Sequence, residues 1–183
     1  MNEVATRGQI RMGMARWLLV LVPLIVGLGS LMGYLSNSGY GNRWFAALDL
    51  PWFTPPGWVF GLVWPILYVM MAVALALVVT ARGARWRVPA IAAFVVQYFL
   101  NLAWSPLFFG ARQVSAALWL LIVIWVAALG TTLLFGRVRK TAAWLMVPYL
   151  AWLSFAALLN FTIDQRNPAA ETLVPPAAQA DIR

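Results

Sequence analysis

Gln97 and Asn101 lie four residues apart, with Trp104 three further on, so on a helix two amides and an indole share one face. Trp152 and Ala156 are spaced one helical turn apart later in the chain, and Asn160 continues that face. Phe60, Trp64 and Tyr68 recur in the same way, directly after the proline-braced stretch Pro51-Trp52-Phe53-Thr54-Pro55-Pro56-Gly57-Trp58. The chemistry these side chains offer is recognition. Indoles present broad faces to a flat, largely apolar molecule, and amides orient it without burying a charge. An amide left unpaired in lipid costs several kcal/mol, so these amides face an interior. Interhelical hydrogen bonding, worth about 0.6–2 kcal/mol per contact, is the plainer role open to Asn101.

The inventory excludes other chemistry. The chain has no Cys and no His, which removes disulfides, thiolates, imidazole metal ligands and the usual general base. No metal site and no required cofactor are therefore expected. No carboxylate falls inside an apolar run, so ordinary acid–base catalysis lacks candidates. The formal net charge is +8, but its source is arginines flanking the apolar runs, which points to membrane orientation and not to nucleic acid.

These residues need rigid elements to hold them. Hydrophobic residues make up 63% of the 183 and charged residues 10%, with a mean hydropathy of +0.82, against roughly 45–50% and 25% in soluble domains. Five apolar runs stand out, about 17–34, 57–80, 88–109, 114–135 and 141–163. Each is long enough to cross a hydrocarbon core of roughly 30 Å as a helix. The fold class is an all-α integral membrane protein, a single bundle of five transmembrane helices. At about 1.5 Å per residue, Trp64, Asn101, Trp104, Trp152 and Ala156 all fall in the half of the membrane nearest the first loop.

That loop, about 35–56, is the longest connection. Within it, residues 43–50 are expected to form a short helix with Trp44, Ala47 and Leu48 on one side. Trp44, Trp52 and Trp58 either belong to an interfacial aromatic belt or frame the site. Thr54 is the expected N-cap of the second span, with Pro55 in its first turn. Gly29 and Gly33 form a G-x-x-x-G through which another helix could approach. Pro23, Pro65, Pro106 and Pro148 fall inside helices, where each frees a carbonyl. Residues 1–16 read as a polar, basic N-terminus and 164–183 as a disordered Pro/Ala-rich tail. Counting basic residues by side gives nine with the N-terminus and four with loop 1. The N-terminus is thus expected in the cytoplasm, with loop 1 and the C-terminus outside.

Three motifs resemble one known family. They are the run from Pro51 to Phe60 followed by Trp64 and Tyr68; Gln97-x-x-x-Asn101-x-x-Trp104-x-Pro106-x-Phe108-Phe109-Gly110; and Val147-Pro148-Tyr149-Leu150-x-Trp152 with Leu159-Asn160-Phe161. In order and spacing, over about 44–166, they are similar to the TspO/MBR family of tryptophan-rich sensory and translocator proteins (peripheral benzodiazepine receptors), in its bacterial-type form. The resemblance implies a five-helix protein of the bacterial cell membrane, commonly a homodimer. It implies binding of protoporphyrin IX and related tetrapyrroles, and in some members of cholesterol and of isoquinoline-carboxamide or benzodiazepine drugs. By position, the pocket residues would be Trp44, Trp52, Trp64, Tyr68, Asn101, Trp104 and Trp152, with Gln97 deeper and Ala156 at a small-residue position. Phe60 joins them from the aromatic spacing described above. The family's sterol motif needs a tyrosine where this chain has Phe161, which weakens that pattern here. A receptor or sensor is the expected function. The alternatives are a porphyrin transporter and a light-dependent porphyrin-degrading enzyme. Against a coupled pump stand the absence of an intramembrane ionisable residue and of any sequence repeat.

Overall fold

All five apolar runs are helical in the computed structural model, which describes the backbone of residues 7–174 and side chains from residue 12 onward. The long helices are α1 (Arg7–Leu35), α3 (Gly57–Val79), α4 (Arg87–Ser105), α5 (Val114–Val138) and α6 (Lys140–Arg166). A single turn, α2 (Arg43–Ala46), interrupts the first loop, and a 3-10 turn (Ala170–Thr172) follows α6. The five long helices are long and apolar enough to cross a membrane. They close a ring in which α1 packs on α3, α3 on α6, α6 on α5, α5 on α4, and α4 back on α1. The core is densest along α3, where Met71, Ala72, Ala74, Ala76 and Val78 are inaccessible to solvent.

Helix boundaries follow the prolines. α3 begins at Gly57, capped by Pro56 in extended conformation (φ −62°, ψ 152°). The expectation that Thr54 caps this helix, with Pro55 in its first turn, is corrected. A residue before proline is steered out of the α region, and the Thr54 hydroxyl donates to the Pro51 carbonyl at 2.7 Å. Pro106 has no N–H to continue the ladder of α4, and the chain passes into a π turn over Pro106–Gly110. The Ala111 N–H closes that turn on the Pro106 carbonyl at 2.8 Å.

The G-x-x-x-G of α1 is used unequally. A Cβ on Gly29 would overlap the ring of Tyr68, whereas at Gly33 the nearest atom is Ser38 Oγ at 4.0 Å. Only Gly29 makes room for a neighbour across the helix seam. A second tie comes from Tyr98, whose hydroxyl donates to the Ile25 carbonyl at 2.6 Å and joins α4 to α1.

Two further expectations are corrected. Residues 43–50 do not continue as a helix; α2 ends at Ala46, so the buried side is Trp44, Phe45 and Leu48, with Ala47 exposed. Asn42 sets this turn by accepting from the N–H groups of Trp44 (3.0 Å) and Phe45 (3.2 Å). The tail expected to be loose from residue 164 is instead helical to Arg166 and packed beyond it. Asn167 pairs with the backbone of Asp49 in both directions, at 2.8 and 3.0 Å, and Ala170 is buried. At the other end the helix already begins at Arg7 within the expected polar segment. The parts of the terminal expectations that fall on 1–6 and 175–183 lie outside the described residues.

Candidate functional site

The amides of α4 are held from both sides. The Tyr68 hydroxyl (α3) donates to Asn101 Oδ1 at 3.1 Å, and Asn101 Nδ2 donates to the Tyr149 hydroxyl (α6) at 3.0 Å. Tyr149 in turn donates to Gln97 Oε1 at 3.2 Å. Three helices are thus joined by one buried polar chain, and each added partner fixes the orientation of the others. The interhelical role open to Asn101 is real, and it coexists with a place on a cavity wall.

Above this chain lies a cavity of about 510 Å³, within the range of roughly 300–1,000 Å³ typical of small-molecule sites. The wall from Gly57 to Tyr68 runs roughly 16 Å along α3 by the helical rise. Phe60, Trp64, Tyr68, Asn101, Trp104, Trp152 and Ala156 all line the cavity, so seven of the ten residues expected at the site converge. Their rings pack edge to face: Trp64 on Trp152 at 6.4 Å and 88°, Phe60 on Trp152 at 5.7 Å and 71°. Elsewhere on the wall Trp104 stacks on Phe108 at 5.0 Å and 16°. Among the described residues, no charged one lines the cavity.

The other three expected residues lie elsewhere. Trp52 is 92% exposed, because the Thr54 N–H to Pro51 O turn (2.9 Å) throws its side chain outward. Trp44 is fully buried but behind the wall: its Nε1 donates to the Ala170 carbonyl at 2.8 Å, and its ring braces Phe108 at 5.6 Å. Gln97 is also buried off the wall, one step further along the polar chain.

The structure adds residues that spacing did not single out. Gly29, Ser30, Gly33 and Tyr34 of α1 complete one side, and Asn37, Gly39, Tyr40 and Phe45 bound the end nearest the first loop. The G-x-x-x-G was the available signal for α1. Phe108 lies four residues after Trp104 and continues the face of Gln97, Asn101 and Trp104, whereas Phe109 falls off that repeat within the π turn. Tyr149 was legible in principle, three residues before Trp152 on the same face.

Four buried side-chain polar atoms among the described residues have no hydrogen-bond partner: Gln97 Nε2, Trp104 Nε1, Trp152 Nε1 and Asn160 Oδ1. Three of the four belong to residues that line the cavity. Buried groups are ordinarily paired, so these unmet atoms set the cavity wall apart from the rest of the described core.

Residues 19–166 match the TspO/MBR family. The chain is 38% identical over 157 residues to the tryptophan-rich protein TspO of Chlorobaculum tepidum, covering 82% of this chain and 98% of that protein. It is 40% identical over 146 residues to the translocator protein of Homo sapiens, covering 79% and 86%. Against the tryptophan-rich sensory protein of Cereibacter sphaeroides it is 36% identical over 126 residues, covering 69% and 78%. With five membrane-crossing helices and a match over most of its length, the chain is an integral membrane protein that belongs to the TspO/MBR family.

Proposed function

We propose that this protein is a membrane receptor or sensor that binds protoporphyrin IX and related tetrapyrroles in the aromatic cavity. The observation that carries this reading is the cavity's make-up. Indole and phenyl walls suit a flat conjugated ring, and among the described residues no charged group lines the cavity and two indole N–H groups lack acceptors. Carboxylate or carbonyl oxygens on a ligand's rim would meet those donors. Relatives named as tryptophan-rich sensory and translocator proteins support the receptor role. Sterols and drug-like aromatic amides fit the same chemistry less fully, the sterol motif lacking its tyrosine at Phe161. We propose further that the protein works as a homodimer, with loop 1 outside the cytoplasm.

Titration of purified protein with protoporphyrin IX in detergent, read by tryptophan fluorescence, tests the reading. Saturable quenching at about one porphyrin per chain is expected. Linear, non-saturating quenching equal to that of a tryptophan analogue in empty micelles would overturn it. Flux into sealed vesicles, and product analysis in light against darkness, separate a receptor from a transporter and from a degrading enzyme.

A further inference from the structure

Asn160 is 2% exposed, on α6 toward the first-loop end of the cavity. Its orientation is settled by chemistry: the neighbouring Val114 carbonyl only accepts, so the amide nitrogen faces it, donating at 3.0 Å. The amide oxygen is then left without a donor and closed off from water. Asn160 lines the cavity and its terminal carboxamide torsion is soft, so a tilt that keeps Nδ2 on Val114 is the movement by which the oxygen would meet a ligand. Trp152 lies eight residues earlier on α6, roughly 12 Å deeper by the helical rise, and its N–H has the opposite need, an acceptor.

We infer that Asn160 is a specificity-determining acceptor, selecting flat ligands that carry a hydroxyl or N–H on the rim nearest loop 1 and an acceptor at the deep end. This rests on the cavity's being the ligand site, and it goes beyond stacking to name the polar pattern of the ligand. A closed macrocycle with only vinyl and alkyl groups on that rim leaves Asn160 Oδ1 unpaired. One with a rim hydroxyl satisfies it, and a site built around a hydrogen bond discriminates against an analogue that lacks it.

The test uses protoporphyrin IX, haematoporphyrin IX, in which the two vinyl groups are replaced by hydroxyethyl groups, and haematoporphyrin dimethyl ether, in which those hydroxyls are methylated. Dissociation constants are measured for the full chain and for Asn160→Leu. The haematoporphyrin to protoporphyrin affinity ratio is expected to fall about tenfold in Asn160→Leu, corresponding to roughly 1.4 kcal/mol. In the parent protein the ether is expected to bind about tenfold more weakly than haematoporphyrin. This arm needs no variant and stands even where Asn160→Leu fails to fold. Ether and alcohol binding equally to the parent, or a ratio unchanged in a folded Asn160→Leu, overturns the inference and leaves the cavity reading intact. No porphyrin binding to the parent at all overturns both.

Discussion

Trp104 and Trp152 each bury an indole N–H that meets no acceptor, and such a group costs about 1–3 kcal/mol. Replacing either indole by phenyl removes the unmet donor while keeping an aromatic ring in place. Thermal stability of Trp152→Phe without ligand is therefore expected to hold or rise, while protoporphyrin affinity falls about tenfold. Trp64→Phe should lose a similar factor through reduced stacking area, for which base–aromatic stacking at roughly 1–3 kcal/mol gives the scale. Trp119, 69% exposed on α5, is the control, and Trp119→Phe should leave affinity within about twofold of the parent. Equal binding by all of these variants would place the ligand elsewhere. Gly29 supplies a stability counterpart, because a methyl there collides with the Tyr68 ring that donates to Asn101. Overpacking of this kind costs about 1–3 kcal/mol, so Gly29→Ala should unfold at lower temperature, whereas Gly27→Ala, with nothing near its Cβ, should not. Seven wall residues were legible in the sequence because helical spacing reports which side chains share a face. Trp44 and Trp52, which the resemblance and not spacing assigned to the pocket, lie off the wall, one ring turned outward and the other held behind the wall by a carbonyl, whereas Gln97 lies deeper along the polar chain as expected.

The elements that position the wall are held by their connections. The five spans were readable from apolar length alone, whereas the role of the segment after α6 was not, since its few polar and small residues give no periodic signal. In the structure that segment straps the first loop. Trp44 donates to the Ala170 carbonyl, Asn167 pairs with Asp49 in both directions, and the Arg166 guanidinium grips the Asp49 carboxylate through two bonds of 2.9 and 3.0 Å. Phe45, the residue after Trp44, lines the cavity, so the strap bears on the cavity's first-loop end. The ion pair is exposed on both sides, and Asp49→Asn should change little, as exposed pairs usually do. Ending the chain after Arg166 removes the buried Trp44 bond and the Asn167 pair together. It leaves the Trp44 N–H unmet, at a cost of about 1–3 kcal/mol. Protoporphyrin should then dissociate about tenfold faster in a stopped-flow displacement experiment. An unchanged rate in the folded, shortened chain would show that the strap does not restrain the first loop.

Across the whole molecule, charge is divided between the two ends of the bundle. Arg82, Arg85, Arg87, Arg137, Arg139 and Lys140 gather where α3, α4, α5 and α6 meet their short connections, with Arg85 and Arg137 lying 5.6 and 4.7 Å from the ring centre of Trp86. At the opposite end, Arg43, Arg112 and Arg166 share space with Asp49, Asp164 and Glu171. Among the described residues no carboxylate lies at the first end, so its positive charge is uncompensated. Short positively charged connections are retained in the cytoplasm during insertion, and the proposed orientation, with the cavity's first-loop end on the far side of the membrane, rests on that rule. The chain has no Cys, so single substitutions supply unambiguous reporters. Trp52→Cys, at a loop position that is 92% exposed and off the cavity wall, should react with a membrane-impermeant maleimide added to intact cells. Arg139→Cys, in the one-residue link between α5 and α6, should react only after the membrane is opened. The reverse pattern would invert the molecule and put the strap, the first loop and the cavity's first-loop end on the cytoplasmic side.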